Sequence, residues 1–263
     1  MEPDRLFLLL STLCFLGGFL HAIYQVRDKG RPKSLWNLVP NAAGFVFQSV
    51  FLYLRGQQHG RCPITNGHEV LIFICWSAVL LFFVVGPAFR LSLLGVFTAP
   101  MVFIFQALVL IFSPGSVAPS PPPSGKVDPY LEMQAGLSLM AYGAFALACV
   151  AGVMFLIQEG LLKRRKIGTL FRHLPPISYL SNAITRLFLI GLVLLSIGIA
   201  AAYGMVERPT GLKISLAYAV WVLYALLFSA QWLRGFQPRL VAWIAVIGFG
   251  LPLFTLWVMS TQQ

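Results

Sequence analysis

Eight apolar runs, each long enough to cross a bilayer, leave this chain few folds to adopt. They lie at about 6–25, 35–54, 69–88, 92–112, 132–158, 180–204, 212–233 and 239–259. A helix needs about 20 apolar residues to span a hydrocarbon core roughly 30 Å thick. In that solvent every backbone N–H and C=O must be paired within the segment, so runs of this length are helices. The expected fold is all-α: a polytopic integral membrane protein with about eight transmembrane helices. Composition agrees where it decides between classes. Only 10% of the residues are charged, against about a quarter in a soluble domain.

The longest interruption is Ser113–Ser124, SPGSVAPSPPPS. A stretch so rich in proline is not helical and reads as an extended surface linker. The expected organisation is four helices over 1–112, an external linker over 113–131 and four helices over 132–263, with the fifth run long enough to project or tilt. The net charge of +11 does not point to nucleic acid, because the basic residues sit in short connections between spans. Twelve Lys and Arg fall in the connections after spans one, three, five and seven, and six on the other side. Positive charge stays on the cytoplasmic face, so both termini and the linker are expected outside. The expected location is the cell's inner (cytoplasmic) membrane, crossed several times, with the lipid bilayer as the first partner.

Of the four cysteines, Cys14, Cys75 and Cys149 lie in apolar runs and Cys62 in a loop. That leaves no pair of loop cysteines for a disulfide. The first run is expected to stay in place as a helix. It opens on Glu2 and Asp4 and ends in His21, Tyr24 and Gln25, unlike a signal peptide. The connection after span two, GRCPITNGHEV at Gly60–Val70, is the most polar for its length. Pro63 stops one helix, and Asn66 with Glu69 has the spacing of a capping box that starts the next. Arg61, Cys62 and His68 have no place in that structural reading.

From this loop onward the chain resembles the cytochrome c assembly family, which includes system II haem-handling proteins and smaller HemX-like members. GRCPITNGHEVLIFICWSAVLLFF is similar to the start of the family's shared region. Leu137–Lys166, His173–Ile199 with its paired prolines, and Leu212–Val258 are similar to later segments in the same order. The resemblance implies an accessory role in cytochrome c assembly or haem handling, alongside a membrane partner from an assembly complex, with haem as the cofactor. It also implies a second role: a HemX-like scaffold that regulates a haem-synthesis enzyme and binds no haem. The haem-handling members carry a tryptophan-rich motif before the penultimate span. Here that place reads AYGMVERPTGLKIS (Ala202–Ser215), without tryptophan. The family's histidine positions correspond to Gln134 and Ser229, so its ligands do not carry over; Lys213 corresponds to a lysine after the motif.

The remaining candidates come from this sequence's own residues. A haem needs an imidazole on iron, flat apolar walls and cations for its propionates. His68, at the outer end of span three, is the candidate metal ligand. Arg55 and Arg61 stand on its side of the membrane, and Phe73 and Trp76 follow it. His21, near the cytoplasmic end of span one, is a second candidate, too far away to share one iron with His68. Either histidine also reads as an ordinary interfacial or helix-bonding residue. Tyr142 either donates to a ligand or bonds Asn37, Asn41 or Gln48, which cannot stay unpaired in lipid. Ala144, Ala148 and Gly152 form a face for close helix packing, and Arg186 lies where it can snorkel. No phosphate loop, zinc spacing or nucleophile elbow occurs. No broken helix pair with paired charges marks a transporter, and no enzyme is expected.

Overall fold

The computed structural model describes residues 3–27, 34–64, 66–88, 94–112, 128–163, 177–205, 211–234 and 237–260. The described residues are almost wholly helical. They form α1 (Pro3–Arg27), α2 (Ser34–His59), α3 (Gly67–Ala88), α4 (Leu94–Phe112), α5 (Pro129–Lys163), α6 (Ile177–Ala202), α7 (Gly211–Arg234), α8 (Pro238–Gly248) and α9 (Gly250–Ser260). Each expected span coincides with a helix, and the last is two helices that meet at Phe249. The proline-rich linker lies outside the described residues apart from its end. Among the described residues five spans are long and apolar enough to cross a membrane, in α1, α3, α5, α6 and across α8 and α9 together (Pro238–Thr255), and Phe97–Phe112 and Ile214–Ser229 are shorter apolar helices. The chain is a multi-pass membrane protein. The helix α2 has the length, at 26 residues, but carries polar residues that make sense only when turned inward.

Local chemistry sets the helix ends. Gly60 closes α2 with φ of 61°, a left-handed conformation that glycine adopts without penalty. Asp128 opens α5: its Oδ1 accepts the Tyr130 N–H at 3.0 Å, and Pro129 takes the first helical position, where no N–H is needed. At 35 residues, α5 is about 52 Å long, well beyond the hydrocarbon core, so it projects.

The helix α5 is the central post. Nearly every residue from Leu139 to Phe155 on it is buried, and it packs on α3, α6 and α8. Small residues let the helices close in. A Cβ on Gly143 would lie 2.9 Å from the backbone N of Ala78 in α3, and one on Gly152 would lie 2.9 Å from the Ala242 carbonyl in α8. The Ala144–Ala148–Gly152 face is thus a packing face. On the other side of the bundle, α1 pairs with α2 and α4.

Candidate functional site

Asn41, Gln48 and Arg55 recur every seventh residue on α2 and are all buried. Two turns of helix return a side chain to nearly the same face, so they make one inward polar stripe. At its C-terminal end Arg55 is fully buried between two carboxylates. Its Nε donates to Glu69 Oε1 at 2.8 Å and its Nη1 to Asp4 Oδ2 at 3.0 Å. Nη1 also lies 3.2 Å from Gln58 Oε1. A lone buried guanidinium would cost several kcal/mol in desolvation. The two carboxylates offset that and pin together the start of α1, the end of α2 and the start of α3.

Below this clamp the stripe continues as hydrogen bonds between helices. Gln48 Nε2 donates to the Ile72 carbonyl at 3.0 Å, and Trp76 Nε1 to Ser49 Oγ at 2.9 Å. Gln106 Nε2 of α4 donates to Ser11 Oγ at 3.2 Å, which donates to the Gly44 carbonyl at 2.9 Å. The α1–α2 pair is therefore fastened to α3 and α4 by polar contacts. On the α5–α8 side apolar and small-residue packing is joined by hydrogen bonds from Trp221 to Ser196 and from Gln231 to Thr185 between α6 and α7, and by the Arg239–Glu159 ion pair between α8 and α5.

The structure does not assemble the candidates into the haem site the sequence suggests. Arg55, read there as a cation for propionates, is engaged by Asp4 and Glu69. Glu69 does more than start a helix, since it is one jaw of the clamp. His68 is exposed and borders a cleft with Asp4, Arg5, Phe51, Glu69 and Ile72. Trp76 lies two turns further along α3. Its ring stacks on Phe45 with centroids 5.7 Å apart and contacts Phe73 at 5.5 Å, so neither aromatic walls the cleft. The cleft encloses only about 20 Å³, where ligand pockets run to roughly 300–1,000 Å³. With two carboxylates in its lining, the cleft does not fit an enclosed haem. Among the described residues no three His, Cys, Asp or Glu side chains gather to hold a metal. His21 is half-buried on α1, 17 residues beyond Asp4, about 26 Å along the axis, so the two histidines stand at opposite ends.

The connection between α2 and α3 is itself tied down. The Cys62 N–H donates to Glu132 Oε1 in the first turn of α5 at 2.7 Å. Burial pushes the Cys62 thiol above its ordinary value, and the charges of Glu132 and Glu69 push it the same way. Arg61 differs from Arg55: its Nε is buried with no hydrogen-bond partner among the described residues. Tyr142 bonds Thr255, with 3.4 Å between the hydroxyl oxygens, rather than the α2 amides. Arg186 is exposed on α6, Gln134 is half-buried, and Ser229 is exposed on α7. The side chains of Asn37, His59, His173 and Lys213 lie outside the described set. Sequence reasoning missed the clamp. Its signal was an arginine at the very end of an apolar run in a chain with only eight acidic residues, two of them at the starts of spans.

The family described as Cytochrome C assembly protein matches residues 64–263, three-quarters of the chain. The chain belongs to the cytochrome c assembly protein family. It is 26% identical over 239 residues to Protein HemX of Bacillus subtilis, covering 89% of this chain and 84% of that protein. It is 29% identical over 188 residues to Protein HemX of Brevibacillus brevis, covering 69% and 68%. It is 26% identical over 243 residues to the cytochrome c biogenesis protein CcsA of Thermosynechococcus vestitus, covering 76% of each. The shared family region begins at Ile64, so the clamp joins it, through Glu69, to the α1–α2 pair that precedes it.

Proposed function

We propose that this protein is an accessory factor of cytochrome c assembly or haem handling in the cytoplasmic membrane. On this reading it works by holding a membrane partner and does not enclose haem of its own. The names of its HemX and CcsA relatives supply the process. The observation that carries the mode of action is the contrast between two outer arginines. Arg55 is closed off by Asp4 and Glu69, while the Arg61 Nε has no acceptor among the described residues. A guanidinium in that state is built to receive a carboxylate, here from a partner's acidic side chain. A propionate of haem carried on the partner is the other source with the same chemistry. The HemX-like scaffold role is favoured over a haem-holding one by the small, carboxylate-lined cleft beside His68.

The test is an absorption spectrum of the detergent-purified protein before and after haem is supplied, with His68→Ala alongside. The expected result is no stoichiometric haem band in either protein. In the source organism, Arg61→Ala lowers cytochrome c or haem levels by more than any drop in protein abundance. A stoichiometric band that His68→Ala removes would overturn the scaffold reading in favour of haem binding.

A further inference from the structure

The backbone around Arg61 is held from several sides. Gly60, just before it, turns the chain with φ of 61°. The Cys62 N–H, just after it, donates to Glu132 Oε1 at 2.7 Å, and the Ile64 N–H closes back on the Cys62 carbonyl at 2.8 Å. Pro63 is buried, and Ile64 packs against the main apolar core. Burial therefore anchors the connection from Pro63 onward. Arg61 and Cys62, between the end of α2 and Pro63, depend on the Glu132 contact instead.

Glu132 reaches this point from far along the chain. It sits in the first turn of α5, where Asp128 and Pro129 fix the helix start, and its contact with Cys62 spans 70 residues. An ionised carboxylate that accepts a backbone N–H makes a bond roughly twice as strong as a neutral one, strong enough to hold a turn. That carboxylate goes to the N–H beside Arg61, and the Arg61 Nε has no acceptor among the described residues. A charged side chain of α5 thus fixes the peptide next to the guanidinium and leaves Nε to another acceptor. A donor held in one direction loses less freedom when that acceptor docks, and a binding group is kept in its productive geometry by neighbours of this kind.

We infer, on the reading of Arg61 given above, that Glu132 is a positioning residue: through the Cys62 N–H it aims the Arg61 guanidinium at the carboxylate of a partner. Two properties set this role apart from a charge that meets the partner directly. It needs an acceptor oxygen where Glu132 Oε1 stands, and it does not need the negative charge. It acts only through Arg61, so it has no effect once the guanidinium is gone.

The experiment compares Arg61→Ala, Glu132→Ala, Glu132→Gln and the Arg61→Ala, Glu132→Ala double variant in the source organism, scoring cytochrome c and haem levels per amount of protein in the membrane. Hydrogen–deuterium exchange of the purified full chain follows the Gly60–Ile64 segment. Glu132→Ala should speed exchange there and lower activity per protein as far as Arg61→Ala does. Glu132→Gln, whose amide oxygen still accepts, should restore most of both. The double variant should be no worse than Arg61→Ala alone. Wild-type activity in Glu132→Ala beside a low Arg61→Ala would overturn the positioning role and leave the reading of Arg61 standing. Wild-type activity in Arg61→Ala would remove that reading itself. If Glu132→Gln restores slow exchange and stays as inactive as Glu132→Ala, the charge meets the partner directly; if the double variant is worse than either single, the two residues act separately. Both results overturn the proposal. Should Glu132→Ala not accumulate, Glu132→Asp, one methylene short of the Cys62 N–H, takes its place and is expected to behave alike.

Discussion

Arg55 and Arg61 are six residues apart and meet opposite surroundings, and their substitutions should separate accordingly. Removing Arg55 leaves Asp4 and Glu69 buried together without their counter-charge, and breaking a buried pair costs about 3–5 kcal/mol. Arg55→Leu should therefore lower abundance and the melting temperature of the detergent-purified protein. Replacing Asp4 and Glu69 by leucine in the same protein should restore much of the loss, because an apolar substitute for a whole buried ionic group is often neutral. If the single and triple variants melt alike, the clamp does not hold the helix starts together. Cys62 makes a second residue-scale case. Its thiol stays neutral at pH values where a free cysteine has begun to ionise, and the thiolate is the reactive form. Maleimide labelling of Cys62 near pH 7 should therefore be slower than that of free cysteine and should rise with pH. Glu132→Gln should speed it by removing one of the two charges that oppose ionisation. Labelling as fast as free cysteine in the wild type would refute this. In the sequence, Glu69 reads as a capping residue and Arg55 as a haem cation, because each has a sufficient local explanation. Their pairing is a contact across 14 residues of chain, and that of Asp4 with Arg55 spans 51. No periodicity encodes such contacts.

Helix existence is the part most legible from the residues, since a bilayer leaves an apolar run no other way to pair its backbone. Which face of a helix meets which neighbour is less so. The seven-residue spacing of Asn41, Gln48 and Arg55 is visible in the sequence, and it marks α2 as a helix that turns its polar side inward. The break in the last span is not legible. Gly248 and Gly250 flank it, yet glycines are frequent in transmembrane helices without breaking them. The packing face Ala144–Ala148–Gly152 is legible because small residues at this spacing exist to let backbones approach. Gly143, one position away, meets α3 and gives the sharper test. A Cβ there would lie 2.9 Å from the Ala78 backbone N, and backbone atoms of a packed helix do not yield. Gly143→Ala should cost about 1–3 kcal/mol, the range for overpacking. On the same helix, a Cβ on Gly136 meets nothing within 4 Å, so Gly136→Ala should be neutral or gain up to about 1 kcal/mol from helix propensity. Melting temperatures of the two variants check this: equal shifts would mean that α3 and α5 are not in close contact.

At the scale of the whole molecule, the ion-pair clamp bears on orientation as well as stability. The charge comparison sets twelve basic residues on one side against six on the other, with Arg55 counted among the six. Arg55 is buried in an ion pair inside α2 and is not a loop charge, so the minority side falls to five and the bias widens. Positive loop charge resists translocation, so the expected side for the Lys163–Arg172 stretch is the cytoplasm. Asp4, Glu69, Gln58 and the Cys62–Glu132 contact then all stand at the outer end, where water is close enough to support a charged cluster. A reporter fused after Arg165 should therefore register as cytoplasmic, and one inserted within Ser116–Ser124 as external. One helix, α5, separates the two positions, so an odd number of crossings must lie between them. Moving positive charge should report on the same physics. Neutralising Arg164, Arg165 and Lys166 together should weaken the bias without reversing it, because Arg27, Lys29, Arg31 and Lys33 still hold the first connection inside. Both reporters on one face would mean that α5 does not cross the bilayer. Its 35 residues and its place at the centre of the packing would then have to be explained by a fold other than a transmembrane bundle.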